Sequence, residues 1–177
     1  FDSAAVASRF AANNWIQAGL NTANIRQVSA VGGNSLAVSG AALTIAETGH
    51  LVFATLHTNS AAQTIDRIVD VFPEHQQGQI RLQLSNTLEA VLSQRLLPAV
   101  SGGRLPVAEI LLATPAVRTT IREGKTHLID NVIQTSADIG MQTLETNMSF
   151  WVRSGKLSLE TAMEWAIRPA ELRRLVR

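Results

Sequence analysis

GHLVFATLHTNSAAQTIDRI, Gly49 to Ile68, decides the fold. Leu51 to Ala54 is a continuous apolar run. It is too short for a helix and has the character of a strand covered on both faces. His57 stands at the carboxyl end of the LVFATL segment. Ser60 then reads as a helix N-cap, and Gln63, three residues on, completes a capping box. Ala62, Ile65, Val69 and Phe72 recur at helical spacing, and Pro73 closes the pattern. The prediction is strand, turn, helix, with an imidazole at the turn. In open α/β sheets ligands gather at the carboxyl ends of the strands, so His57 faces a ligand crevice. His50 lies at the opposite end of the strand, about 23 Å away at ~3.3 Å per residue. On this strand assignment the pair cannot share a metal ion, and His75 and His127 add no ligand spacing. A lone histidine at a strand end is also a common hydrogen-bonded structural residue, so both readings stand at this point.

Working outward, the downstream pattern predicts one helix over Glu74–Gln94, with Ile80, Leu84, Leu88, Val91 and Leu92 on one face. RLLPAVSGGRLPVAEILLA, Arg95 to Ala113, predicts two strands around Ser101-Gly102-Gly103. Pro98 and Pro106 suit strand ends or an edge. The last third is segmented and helical. Thr114-Pro115 gives a cap and first residue, with Gly124 as the stop. Helices are predicted over Thr126–Ala137 and Thr143–Arg153, then after Ser158 and from Pro169. Upstream, the first forty residues are rich in Ala, Ser, Asn and Gly. They carry weak signals for a helix over Ser3–Ala18 and short strands within Ile25–Val38 around Gly32-Gly33. Loop or a weakly packed appendage is the favoured reading. The fold class is α/β: the second half of a sheet domain with helices appended. Its predicted segments are 1–40, 41–113 and 114–177.

Composition removes several function classes. The chain has 177 residues, 46% of them hydrophobic, enough for one domain with a sizeable core. Fifteen Lys+Arg against 14 Asp+Glu give a formal charge of +1, which offers no footprint for nucleic acid. No cysteine is present, which excludes disulfides and thiolate zinc sites and fits the cytosol. No apolar run reaches the ~18 residues of a membrane span. The chain begins with Phe rather than Met, so the expectation is a fragment, or a chain whose start has been lost. No G-x-S-x-G is present, and Ser60 and Ser93 have no base in reach of sequence reasoning. Asp66 and Asp70 share a helix face that reads as solvated. No metal site is predicted. A phosphate loop needs G-x-x-x-x-G-K-[ST], and the VGGNSLAVSG cluster has no lysine.

Two long stretches resemble the C-terminal half of the type IV pilus retraction ATPases, motors of twitching motility in the secretion ATPase superfamily. They are ALTIAETGHLVFATLHTNSAAQTIDRIVDVFPEHQQGQIRLQLSNTLEAVLSQRLLP and GGRLPVAEILLATPAVRTTIREGKTHLIDNVIQTSADIGMQTLE. The resemblance runs from Ala41 to Leu175 and implies a partial RecA-like sheet with a C-terminal helical subdomain. GHLVFATLHT is similar to the family's histidine box. His57 matches the histidine implied to contact the terminal phosphate, and His50 the other box histidine. PAVRTTIRE, Pro115 to Glu123, resembles the motif associated with retraction, with Arg118, Arg122 and Glu123 on its charged positions. Val117 and Thr119-Thr120 depart from it. The family implies ATP and Mg²⁺, a hexameric ring and the pilus inner-membrane machinery. It also implies a cytoplasmic position peripheral to the inner membrane. Assembly and type II secretion relatives commonly carry a four-cysteine zinc module, absent here. Residues 1–40 do not match, and neither Walker A nor Walker B is found. The expectation is that this chain alone binds no Mg-ATP and turns none over. Two alternatives stay open: a non-catalytic module that docks on intact motor subunits, and a type II secretion-type ATPase fragment.

Overall fold

The computed structural model describes residues 29–30 and 40–177. The helix expected over Ser3–Ala18 and the Gly32-Gly33 turn lie outside the described residues. Strand β1 (Ser29–Ala30) pairs in parallel with β2 (Val52–Phe53), Ser29 opposite Val52 and Ala30 opposite Phe53. Helix α1 (Gly40–Glu47) lies on the crossover that a parallel pair requires.

This strand is shorter and barer than LVFATL predicts. Pairing covers two residues, and Phe53 is 48% exposed. Apolar character alone does not bury a strand. Its backbone groups must also be paired, and the one partner strand described is two residues long.

Helix α2 (Ala61–Asp70) starts as its sequence dictates. The Ser60 hydroxyl accepts from the Gln63 amide at 3.3 Å, and the Gln63 carboxamide accepts from the Asn59 amide at 3.1 Å. Its inward stripe is Ala61, Thr64, Ile65, Ile68 and Val69. Helix α3 (Glu74–Thr87) ends well before Gln94. Ile80, Leu84, Leu88 and Val91 keep helical spacing, but Val91, Ser93 and Leu97 also alternate inward. Nine residues, Ala90–Pro98, become strand β3, paired antiparallel with β4 (Arg104–Leu112). A full ladder with β4 outweighs a marginal helical extension past Asn86-Thr87, which are weak interior helix formers. The connecting turn needs Gly102 (φ +84) and Gly103 (φ +78), a region costly for any residue with a Cβ.

Helix α4 (Pro115–Arg122) is capped by Thr114, whose hydroxyl accepts from the Val117 amide. The single helix expected over Thr126–Ala137 is broken. A 3₁₀ turn (Thr126–Leu128), α5 (Ile129–Thr135) and a second 3₁₀ turn (Ala137–Ile139) replace it. Thr135 returns its hydroxyl to the Asn131 carbonyl, one of the local bonds by which such residues compete with helix propagation. Helices α6 (Leu144–Arg153), α7 (Leu159–Trp165) and α8 (Pro169–Val176) begin at the predicted Thr143, Ser158 and Pro169 signals.

Two apolar clusters hold these elements. One joins α2, α3, α4 and α5 through Ile65, Val69, Leu84, Ile121 and Ile133. The other joins β3, β4, α6 and α8 through Leu97, Val107, Met148 and Leu172. Both are built from residues on either side of residue 113. Each fully buried aliphatic side chain contributes about 1.5–3 kcal/mol before entropy is subtracted. The mixed α/β class therefore stands, with its packing dominated by helices on a hairpin.

Candidate functional site

His57 lies exposed on the turn between the extended segment and α2. The turn is tied tightly to its own helix. Thr58 and Thr64 share a hydroxyl bond of 2.6 Å, beside the Asn59–Gln63 and Ser60–Gln63 bonds. His50 sits at the far end of the segment, half-buried, with Nδ1 at 2.9 Å from the Thr48 hydroxyl.

The charged residues of the Pro115–Glu123 stretch part company. Arg118 turns inward. Its guanidinium donates to the carbonyls of Ser85 (2.7 Å), Asn86 (2.8 Å) and Ala113 (3.0 Å) and pairs with Glu89 at 3.3 Å. Ser85 and Asn86 end α3, so a cation sits on the carbonyls that the helix leaves unpaired. Arg122 and Glu123 are exposed. The Glu123 carboxylate accepts from Lys125 at 2.8 Å, and that bond and charge hold it below the usual carboxylate range.

Gly124-Lys125-Thr126 has the last three letters of a phosphate loop, but its setting is wrong for one. It follows helix α4 rather than a strand, the position of the first loop glycine is Thr119, and Lys125 is paired with Glu123. Among the described residues no cluster of three His, Asp or Glu fits a metal ion.

A buried charge network escaped sequence reasoning. Glu145 has a fully buried side chain on α6. It accepts from the Arg168 amide at 2.8 Å and pairs with the Arg168 guanidinium at 3.0 Å. Arg168 also reaches Asp130 at 3.1 Å and Glu171 at 3.2 Å. Burial works against the charge of Arg168, and Glu145, Asp130 and Glu171 more than offset it, so the guanidinium holds its proton unusually firmly. Near this hub Glu109, 1% exposed, projects inward from β4 and accepts from the Ala61 amide at 2.7 Å. Burial pushes its carboxyl up, against the lowering effect of that bond and of Arg168; Asp130 and Glu145 add to the rise. The signal was available: Glu109 occupies the inward phase of a strand between Val107 and Leu111.

The sign of the resulting pH dependence follows. With the folded value above the ordinary one near 4.5, folding penalises the charged form. The penalty is absent below that ordinary value, grows as pH rises from it toward the folded value, and is fully present above the folded value. Glu109→Gln is expected to raise Tm at pH 7, with the advantage over wild type vanishing as pH falls to 4. Each kcal/mol relieved appears as about 2–4 °C. Calorimetry across that range checks it; an advantage independent of pH refutes it.

The family model described as "Type II/IV secretion system protein" matches residues 35–164. Over 128 residues the chain is 50% identical to the "Type IV pilus retractation ATPase PilT" of Pseudomonas aeruginosa, covering 72% of this chain and 37% of that protein. Over 124 residues it is 52% identical to the "Twitching motility protein" of Neisseria gonorrhoeae, covering 70% and 33%. The crystal structure of "the Pilus Retraction Motor PilT and Bound ADP" superposes with a TM-score of 0.68 at 46% identity, over 76% of this chain and 37% of that one. The chain thus spans about a third of the length of these relatives.

Proposed function

We propose, from the premise that the chain belongs to the Type II/IV secretion system protein family, that it is part of a pilus-retraction ATPase. The observation that carries the reading is the 50% identity to a pilus retraction ATPase over 128 residues. In this reading the histidine turn completes one wall of a nucleotide site, and the missing phosphate loop and acidic groups come from other polypeptide. His57 reports on the terminal phosphate, since a neutral imidazole can donate one hydrogen bond and accept another. His50 belongs to the same box. Arg122 and Glu123 form the exposed part of a coupling motif that Arg118 anchors. ATP with Mg²⁺ is the energy source. The assembly is a hexameric ring on the cytoplasmic side, peripheral to the inner membrane, acting on the pilus machinery. No helix among the described residues is long and apolar enough to cross a membrane.

Residues 41–177 grafted onto the preceding part of a pilus-retraction ATPase are expected to restore ATP turnover. His57→Ala in that chimera should lower kcat by about 10²-fold, the scale of losing one preorganised hydrogen-bond donor. The 177-residue chain alone should release no phosphate above background. Full turnover by the His57→Ala chimera, or by the isolated chain, would refute the assignment.

A further inference from the structure

We infer that Glu109 is a positioning residue for the histidine turn: its side-chain oxygen, acting through the Ala61 amide, sets where His57 stands relative to the β3–β4 hairpin. The functional meaning of this role rests on the nucleotide-contact reading of His57; the geometry does not.

The turn from His57 to Ala61 is held by two kinds of hydrogen bond. Those at Thr58, Asn59 and Ser60 run to Thr64 and Gln63, so they shape the turn against α2 alone. The Ala61 amide to Glu109 Oε1, at 2.7 Å, spans 48 residues. Among the described residues it is the hydrogen bond that ties this turn to another element. It also occupies a first-turn amide, which a helix otherwise leaves without an internal partner.

The choice of residue argues against a purely structural role. An apolar side chain at 109 would continue the inward stripe of Val107 and Leu111. Glu109 instead stands where burial opposes its charge. Ser93, its cross-strand partner in the ladder, has a buried hydroxyl without a partner of its own. Such a site costs stability, and what it supplies is an acceptor aimed at one amide.

The test uses the 177-residue chain without nucleotide, so it remains decisive whether or not His57 contacts a phosphate. Histidine ring resonances and amide exchange are followed by NMR in wild type, Glu109→Ala and Glu109→Gln. In wild type the Ala61 amide should exchange at least tenfold more slowly than an unprotected amide. Glu109→Ala should abolish that protection and shift or broaden the His57 ring signals, leaving His127 unchanged. Glu109→Gln, which keeps an acceptor oxygen, should restore both. An unprotected Ala61 amide in wild type overturns the inference, and that measurement needs no variant to fold. Equal disturbance of His57 and His127 in Glu109→Ala, or no rescue by Glu109→Gln, overturns it as well.

Discussion

Arg168→Ala is expected to lower the unfolding free energy by about 3–5 kcal/mol, the scale of removing one partner from a buried ion pair. The cost is concentrated at Glu145, whose side chain is fully buried and which keeps only the Arg168 backbone amide as a donor. Asp130 and Glu171 lose the same cation, but Asp130 is partly exposed and water re-solvates it. The effect should change little with salt, because a buried pair is poorly screened. Replacing both members by apolar residues, as in Arg168→Met with Glu145→Leu, should recover most of the loss, since the fully buried carboxylate is removed together with its cation. Urea denaturation at 25 °C decides the matter. A loss under 1 kcal/mol for Arg168→Ala would mean that water reaches Glu145 and that the hub does not lock α6 to α8.

Arg118→Ala is expected to cost about 2–3 kcal/mol, because three carbonyls at the end of α3 and the start of α4 lose a charged donor. Arg118→Lys should recover only part of that. A single ammonium cannot reproduce the planar fork that reaches Ala113, Ser85 and Asn86 together. Glu89→Ala should be nearly neutral, since Glu89 is 62% exposed and its pair with Arg118 is a surface one. Arg122→Ala, on an exposed side chain, should change stability by less than about 0.5 kcal/mol. The contrast matters for function. Under the proposed coupling role, a functional defect caused by an Arg118 substitution must first be corrected for lost stability, whereas a defect at the exposed Arg122 carries no such correction. Chemical denaturation of the four variants gives the ranking, and an Arg118→Ala loss no larger than that of Arg122→Ala would remove Arg118 from the frame of the fold.

The candidate site was partly legible. His57 was marked by its place between an apolar run and a capping box, and both marks are local. Arg118 was singled out by resemblance, but its task at the end of α3 was not visible. The carbonyls of Ser85 and Asn86 become free only because α3 stops at Thr87, and the apolar spacing through Val91 gave no warning of that stop. Glu145 and Arg168 are 23 residues apart and joined by nothing in the local pattern.

By itself the sequence determined where α2, α4, α6, α7 and α8 begin, the glycine turn between β3 and β4, and the family. These depend on a cap, a proline, a left-handed glycine or a run of matching residues, each readable within a few positions. Tertiary structure alone decided that Ala90–Pro98 is a strand, that the LVFATL segment pairs over two residues among those described, and which carboxylates meet Arg168. Those outcomes turn on partners distant in the chain. A ladder forms only where another backbone lies alongside, and a buried charge is tolerated only where its counter-charge arrives from elsewhere in the fold.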